Sequence, residues 1–214
     1  MRIAHITDCF APRTGGIETQ VLGLASRQMR AGHDVRVITA TPGRDELCSG
    51  RDEIAGLPVI RLATRMPFEL PMHPAAYRQV LEILRRERVD VVHVHAGVAS
   101  PFAWGGIRAA RRIRVPIVVT VHSMWDALSR SGQHVLDRTP WGLGSGAVVT
   151  AVGSMAAQRV RAALGVPVHV LPNGIDEREW RVDRIHSDDG TLRVVSVLRL
   201  APRKRALALV AVLQ

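Results

Sequence analysis

The sequence has no hydrophobic run of the roughly 18–20 residues that a membrane-spanning helix needs. It also lacks the apolar core of a secretory signal peptide, because Asp8 and Pro12 interrupt the short β-type run that begins at Met1. Cysteine is scarce, and Cys9 and Cys48 have neither metal-ligand nor redox-motif spacing. We therefore expect a cytoplasmic protein with two reduced thiols.

Aromatic residues make up only 4% of the chain, so its core must be built from aliphatic side chains. Lysine is also scarce: Lys204 is the single lysine among 29 basic residues, and the formal net charge is +10. Such a charge favours an acidic partner, which could be nucleic acid, anionic lipid or a phosphate-bearing substrate. The alternative is a compositional preference for arginine on ordinary solvated surfaces. No zinc-finger spacing, RNA-recognition strand or basic heptad supports specific binding of nucleic acid.

What the chain does contain is an alternation of apolar runs of strand length with amphipathic stretches of helical length. Buried strands separated by helices predict an α/β fold, a doubly wound parallel sheet of the Rossmann-like kind. Strands are predicted over Arg2–Thr7, Asp34–Ala40, Pro58–Leu62, Val89–His95, Pro116–His122, Ala147–Val152 and Val168–Leu171. Helices are predicted from Gly15-Gly16 to Arg30, over Ala75–Arg88, from Pro101 to Arg112, and over Met155–Leu164 with Ser154 as its N-cap. The polar stretch Thr41–Gly56 is predicted to be a loop.

The region after Leu171 has a different character, with Pro172-Asn173-Gly174 followed by a polar stretch. Further along, the sequence predicts a new strand over Leu192–Leu198 and its helix over Ala206–Leu213. We therefore expect an N-terminal domain at 1–171, a linker at 172–191 and the truncated start of a second domain at 192–214.

Candidate site residues follow the predicted strands, because ligands of open α/β sheets bind at the carboxyl ends of the strands. Gly15-Gly16 opens a helix, so free backbone N–H groups and the positive helix end could receive a phosphate or a sugar hydroxyl. A purely structural turn is the alternative, and Glu18 then serves only to complement the helix N-terminus.

Histidines end two neighbouring predicted strands. We place the rings of His93 and His95 on opposite faces of their strand, where they could not share a metal ion. His93 is then a core residue, whereas His95, beside Ala96-Gly97, is a site candidate. His122 ends the next strand and is expected to face the same crevice.

A basic cluster follows the first predicted strand of the second domain. Arg199, Arg203, Lys204 and Arg205 suit a diphosphate, although an exposed basic loop would have the same composition.

Several stretches then follow one another in order between Met1 and about Lys204: "APRTGGIETQVLGLASRQMRAGHDVRVIT", "VDVVHVHAG", "VPIVVTVHS", "AVVTAVGS", "VLPNGID" and "VSVLRLAPRK". Their order and spacing resemble the family 4 glycosyltransferases, retaining enzymes with two facing Rossmann-like domains (the GT-B architecture). The resemblance implies that this chain is the N-terminal half of such an enzyme with the start of its C-terminal, nucleotide-sugar-binding domain.

The resemblance also implies roles for matching residues. Gly15 and Gly16, with Glu18 and His95 nearby, correspond to the loop that lies against the donor phosphates and the acceptor. His122 corresponds to the active-site histidine, which would position the transferred sugar and the attacking hydroxyl. The hinge between domains corresponds to Pro172–Asp176, including Asn173, Gly174 and Asp176. The pair that holds the nucleotide diphosphate corresponds to Arg199 and Lys204.

The chemistry implied by the resemblance is retaining transfer of a sugar from a nucleoside-diphosphate sugar, with no metal and no other cofactor. Arginine, lysine and helix dipoles would then stabilise the leaving diphosphate. Two positions depart from the family pattern, since Leu198 and Arg205 stand where glycines are usual. The family's pair of glutamates would lie beyond Gln214, and we expect the 214-residue chain alone to have no useful transferase activity.

The acceptor stretches look similar to branches that glycosylate phosphatidylinositol or other lipid-linked acceptors. The arginines within 78–88 and 108–114 could then rest on an anionic membrane, giving a peripheral protein on the inner face of the cytoplasmic membrane. A soluble acceptor is the alternative. Three other readings stay open: an epimerase or phosphorylase on the same two-domain plan, a non-catalytic binding or regulatory protein of the GT-B-like kind that serves as a subunit, and a nucleic-acid binder inferred from charge alone.

Overall fold

The computed structural model describes residues 1–44, 49–64, 75–139, 142–143, 146–181, 193–198 and 205–212. Its strands are β1 Arg2–Thr7, β2 Asp34–Thr39, β3 Ser49–Ile54, β4 Leu57–Leu62, β5 Val91–Ala96, β6 Ile117–Val121, β7 Val148–Ala151 and β8 Val168–Val170. Its helices are α1 Gly16–Arg30, α2 Ala76–Arg86, α3 Pro101–Ile113, α4 Ala127–Asp137, α5 Ser154–Leu164, α6 Glu177–Trp180 and α7 Ala206–Val212.

The strands form a single eight-stranded sheet in the order β3-β4-β2-β1-β5-β6-β7-β8. Neighbouring strands are parallel except β3, which pairs antiparallel to β4 at the sheet edge. The sheet grows from β1 toward β4 and then returns to add β5 on the other side of β1. This reversal opens a crevice at the carboxyl ends of β1 and β5, where α/β folds bind ligands. The predicted fold class is confirmed.

Helices cover both faces of the sheet. On one side, called here the α3 face, aliphatic side chains of the strands pack against α2, α3 and α5 in the larger core cluster. The other side, the α1 face, packs Ile3, Val35 and Val37 against Val21 and Ala25 of α1. The sheet is therefore buried on both sides, which explains why its strands read as continuous apolar runs.

Helix α3 lies unusually close to β1. A Cβ atom added at Gly106 would stand 2.7 Å from Cγ2 and 2.8 Å from Cδ1 of Ile6. Both residues are buried, and Ile6 belongs to the larger core cluster. The absence of a side chain at Gly106 thus sets the distance between helix and sheet.

Three elements were not predicted from the sequence: β3, α4 and the short α6, which lies within the predicted linker. The predicted loop at 41–56 contains β3, an exposed edge strand that forms a hairpin with β4 through Ala55 and Gly56, both of positive φ. Its sequence, SGRDEI, has no apolar face because its side chains stay mostly exposed. Helix α4 was missed as well, and α5 has Gly153, not the predicted Ser154, as its N-cap.

The chain divides into two compact units, Met1–Ile175 and Asp176–Gln214. In the second unit, α7 forms where a helix was predicted, but the described residues 193–198 are not in a strand. Val195 and Val197 are almost fully exposed there. Among the described residues no strand pairs with this run, and a strand needs such a partner for its backbone hydrogen bonds. The predicted boundaries at 171 and 191 and the predicted second domain stay predictions. Over the part of the chain that is described, no helix is both long and apolar enough to cross a membrane.

Candidate functional site

The loops that follow β1, β5 and β6 converge at the carboxyl edge of the sheet. A Cβ atom placed on Gly97 would lie 3.6 Å from Oγ of Ser123 and 3.9 Å from Cδ1 of Ile17, in the first turn of α1. The backbone N–H of Gly97 donates to Oγ of Ser100 at 2.8 Å, and its carbonyl accepts from the indole of the fully buried Trp125 at 3.1 Å. Three loops are thereby fixed around one point.

The glycine pair lies at this edge, as the sequence predicts. Gly15 is the N-cap of α1 in an extended conformation, with φ 178°, and Gly16 is the first helical residue. A Cβ atom on Gly16 would meet no atom of the described residues within 4 Å, so the backbone there is open to a ligand. The buried carboxylate of Glu18 folds back over Gly15 and forms an ion pair with Arg13 at 3.6 Å. Glu18 thus places negative charge at the positive end of the helix.

Asp8 anchors the same loop to α3. Its buried carboxylate accepts the backbone N–H groups of Phe102 at 3.0 Å and Ala103 at 3.2 Å, in the first turn of that helix. Burial raises the pKa of Asp8 to about 7, and these hydrogen bonds limit the rise. The end of β1 and the start of α3 are therefore joined by one carboxyl group.

Arg61 on β4 is fully buried and holds the other side of the loop. Its guanidinium donates to the carbonyl of Ala11 at 2.8 Å, to that of Thr41 at 2.9 Å and to that of Pro42 at 3.2 Å. Its Nε donates to Asp52 at 2.6 Å. A single side chain thus satisfies three loop carbonyls that are partly or wholly removed from water.

A chain of hydrogen-bonded side chains leads from α1 to the crevice. Oε1 of Gln28 lies 2.7 Å from Nε2 of His5, Nδ1 of His5 lies 2.9 Å from Nε2 of His95, and Nδ1 of His95 lies 3.0 Å from Nε2 of His122. His5 and His95 are buried, whereas the ring of His122 is half-buried at the end of β6. The predicted candidates His95 and His122 are thus in direct contact.

The prediction that His93 and His95 face opposite sides of β5 is wrong. Successive side chains of a strand alternate, so residues two apart share a face. Their rings lie 4.2 Å apart between centroids, both on the α1 face beside His5. The expectation that His93 is a core residue does hold, because it is buried with Nε2 at 2.7 Å from Oγ1 of Thr120.

These histidines form a polar stripe with Thr120 and Thr150 on the α1 face of the sheet. The sheet register places His5 opposite His93, His95 opposite Thr120, and Thr120 opposite Thr150. The hydroxyls of the two threonines are 2.7 Å apart. The polar stripe therefore crosses four neighbouring strands on the α1 face with its members hydrogen-bonded to one another, as buried polar groups require.

Burial holds these histidines neutral. It lowers the pKa of His5 to about 4, of His93 to about 3 and of His122 to about 4, and it lowers the pKa of His95 well below its usual value. Burial is the largest cause for each ring because a charged imidazolium loses its hydration. For His93 and His95 the neighbouring rings lower the pKa further. At pH 7 each ring is therefore a neutral imidazole with one N–H donor and one acceptor nitrogen.

Ring nitrogens of His5, His93 and His95 lie within 4.8 Å of one another, close enough for a metal ion to be considered. However, both nitrogens of His5 and both nitrogens of His95 already face hydrogen-bonding partners. Each such contact between two ring nitrogens requires a shared proton, which a metal ion would have to replace. We therefore interpret this cluster as a hydrogen-bonded core.

The predicted hinge residues Asn173 and Gly174 are exposed, and Asp176 caps α6 by accepting the N–H of Arg178 at 3.1 Å. With its amide oriented to satisfy both groups, Gln20 of α1 pairs with the N–H and the carbonyl of Gly174 at 3.2 Å each. The compact units divide just after this point, between Ile175 and Asp176. Arg199 and Lys204, the predicted diphosphate pair, lie outside the described residues.

Sequence reasoning missed His5, Gln28 and Arg61, and it assigned no role to Asp8. The signal for His5 was present, since Ile3, His5 and Thr7 alternate with Ala4 and Ile6 along β1 and so place a polar residue on a buried face. Asp8 directly follows the buried strand β1, and Arg61 lies within the buried strand β4. Charged side chains are rarely buried unless they have a partner. Their partners are distant in sequence and could not be named from it.

The sequence profile of Glycosyltransferase Family 4 matches residues 14–179. The chain belongs to this family. The matched segment includes the glycine pair, His95, His122 and the predicted hinge residues of this family 4 chain.

Curated relatives agree with that membership. The chain is 31% identical to a GDP-mannose-dependent alpha-mannosyltransferase of Mycolicibacterium smegmatis, over 95% of this chain and 58% of that protein. It is 28% identical to a phosphatidylinositol N-acetylglucosaminyltransferase component of Arabidopsis thaliana, over 100% of this chain and 48% of that protein. The family 4 chain thus spans about half the length of the curated relatives it matches.

A solved structure, a glycosyltransferase from Rickettsia africae, has the same fold. It superposes with a TM-score of 0.57 at 16% identity, covering 82% of this chain and 43% of the other. At that identity the likeness supports the fold alone.

Proposed function

We propose that this chain supplies the acceptor-side half of a glycosyltransferase that moves a sugar from a nucleoside-diphosphate sugar to an acceptor hydroxyl with retention of anomeric configuration. The observation that carries the proposal is the convergence of the loops after β1, β5 and β6, next to the strand-end histidine of a family 4 chain. The M. smegmatis relative is named for GDP-mannose, which supports a nucleotide-sugar donor.

In this proposal, His122 accepts a hydrogen bond from a hydroxyl of the sugar or the acceptor, and it positions that group without attacking it. The open backbone at Gly16 lies against the donor phosphates or the acceptor. Arg199 and Lys204 hold the diphosphate and stabilise the charge that develops on it as the sugar leaves. We propose that no metal ion is required, because these cationic groups and the helix N-terminus supply the stabilisation.

The test is a transfer assay on a polypeptide that contains this chain together with a complete donor-binding domain. With His122→Ala we expect transfer to fall about 100-fold or more, in the range seen when one group that contacts the transition state is removed. The matched control is His169→Ala, which alters an exposed histidine at the end of the sheet. Product analysis by NMR reports the anomeric configuration, and inversion would contradict the proposed mechanism, as would full activity of His122→Ala. We propose that the 214-residue chain alone transfers no sugar.

We further propose that the acceptor is lipid-linked and that the protein acts peripherally at an anionic membrane. The Arabidopsis relative is named for phosphatidylinositol. On the surface of the present chain, Arg78, Arg85, Arg86 and Arg88 are exposed along α2 and just after it, and Arg112 and Arg114 are exposed at the end of α3. Helices α2 and α3 are joined by Arg108, whose guanidinium lies 4.5 Å from the ring centroid of Tyr77. The exposed positive charges therefore belong to two helices that pack together.

Liposome co-sedimentation tests the membrane proposal. Replacing Arg78 and Arg85 with glutamine is expected to weaken binding to anionic vesicles about 10- to 30-fold at low salt, at about 1 kcal/mol for each arginine near the surface. Replacing Arg27 and Arg30 on α1 removes the same charge from another helix and serves as the control. Equal weakening by the two pairs would indicate a general charge effect and would contradict a docking surface on α2.

A further inference from the structure

We propose that the side-chain oxygen of Gln28 on α1 fixes the tautomer of His122 through His5 and His95, so that His122 carries its proton on Nε2 and presents an unprotonated Nδ1. The tautomer assignment is independent of the proposed function. Only its consequence, that a substrate hydroxyl donates to Nδ1 of His122, rests on that function.

The assignment begins at Gln28, whose side-chain oxygen, and not its NH2 group, faces His5. A carboxamide oxygen has no proton to donate, so Nε2 of His5, at 2.7 Å from Oε1 of Gln28, must be the N–H group. A neutral imidazole has one N–H, and therefore Nδ1 of His5 is an acceptor. Burial keeps the pKa of His5 at about 4, so the ring is neutral at pH 7.

The same argument then applies to each hydrogen bond from His5 to His95 and from His95 to His122. Because Nδ1 of His5 accepts, Nε2 of His95 at 2.9 Å must donate, which leaves Nδ1 of the neutral His95 as an acceptor. Nε2 of His122 lies 3.0 Å from that nitrogen and must donate to it. His122 is consequently left with an unprotonated Nδ1.

The unprotonated Nδ1 of His122 has no hydrogen-bonding partner in the described part of the chain. No hydrogen bond to Nδ1 of His122 is formed by the residues that the structure describes, and the ring is half-buried at the carboxyl end of β6. An unprotonated nitrogen of a neutral imidazole at the end of a strand can accept a hydrogen bond from the hydroxyl of an uncharged sugar. It offers nothing to a phosphate oxygen, which is itself an acceptor.

All the hydrogen bonds from Gln28 to His122 can also reverse direction together. If the amide of Gln28 turned to place its NH2 group against His5, each donor and acceptor in the chain would exchange and His122 would present an N–H group. The oxygen observed at that place therefore selects one of two concerted arrangements. Gln28 is a positioning residue, since it acts on the crevice only through His5 and His95.

Long-range 1H–15N NMR of the 214-residue chain at pH 7.5 tests the assignment directly, because protonated and unprotonated ring nitrogens have well-separated 15N shifts. We expect His5, His95 and His122 each to be protonated at Nε2 alone. We also expect 15N–15N couplings across the two hydrogen bonds between rings. A His122 that is protonated on Nδ1, or one without coupling to His95, would overturn the proposal.

The Gln28→Met variant tests whether Gln28 fixes the tautomer of His122. Methionine keeps helical propensity and similar size but removes the acceptor, so we expect loss of the single-tautomer signal of His122 and the appearance of a form protonated on Nδ1. The control is Thr120→Val, which breaks the hydrogen bond of His93 in the same polar stripe and leaves the chain from Gln28 intact. We expect the His122 spectrum of Thr120→Val to match the unmodified chain.

An unchanged His122 spectrum in Gln28→Met would overturn control by Gln28, and so would an equal change in Thr120→Val. These outcomes are distinct from failure of the proposed function. That function fails when His122→Ala transfers sugar normally, whereas the tautomer is measured without any substrate.

Discussion

Replacing Arg61 with methionine is expected to lower the free energy of unfolding by about 3–5 kcal/mol, because each carbonyl that is left without a donor away from water costs about 1–3 kcal/mol. Methionine can fill much of the space of the aliphatic stem. It leaves the carbonyls of Ala11, Thr41 and Pro42 without the donor that satisfies them and leaves Asp52 without its counter-charge. Urea denaturation followed by circular dichroism measures the change.

Arg51→Met is the matched control for Arg61→Met. The Arg51 side chain is 74% exposed and pairs with Glu87 at 3.0 Å, an ion pair of the surface kind. We expect its removal to change stability by less than about 1 kcal/mol. If the two variants unfold at the same urea concentration, the buried guanidinium does not anchor the loop before α1.

Acidification from pH 7 to pH 5 is expected to destabilise the chain by several kcal/mol. The pKa values of His5, His93, His95 and His122 are lowered in the folded state, so their stabilising contribution is complete above about pH 6.5. As the pH falls below that value, the unfolded chain binds protons that the folded chain does not bind. The free energy of unfolding therefore decreases until the pH reaches the folded pKa values, about 4 for His5 and His122 and about 3 for His93. Each histidine that is protonated only in the unfolded state lowers the free energy of unfolding by at most about 1.4 kcal/mol per pH unit.

Asp8 acts in the opposite direction. Its folded pKa is raised to about 7, so its contribution to stability grows as the pH falls from 7 toward 4 and offsets one of the histidines. Unfolding free energies measured between pH 7 and pH 5 give the net slope. His93→Gln removes one of the four rings and should reduce the slope by up to about 1.4 kcal/mol per pH unit. Stability that does not change over this range would contradict the neutral histidine cluster.

The order of strands and helices could be predicted because most buried strands of a two-sided sheet are apolar throughout. Arg2–Thr7 is matched to the residue, and the other predicted strands of the sheet end within two residues of the observed bounds. Strand β3 was not predicted because it lies at the edge of the sheet, where its exposed polar side chains form no apolar pattern. Pattern reasoning detects burial, so elements that are not buried are the ones it loses.

The candidate site was predictable to the extent that parallel strands end at one edge. That rule alone brings Gly15, Gly16, His95 and His122 to the same edge of the sheet. The rule of alternation, correctly applied to His93 and His95, would also have placed both rings on one face. The contact between Gln28 and His5 could not be foreseen, because it depends on how α1 is rotated over the sheet.

The contact between Gly106 and Ile6 has a consequence for how sequences of this fold can diverge. Glycine within a helix costs about 1 kcal/mol relative to alanine, so drift toward alanine at position 106 would be favoured by helical propensity alone. An alanine Cβ at position 106 would stand 2.7 Å from Cγ2 and 2.8 Å from Cδ1 of Ile6, which blocks that drift unless position 6 first loses both of these methyl groups. We therefore expect the two positions to vary together among sequences of this fold, with a side chain at position 106 found only where position 6 carries a smaller one.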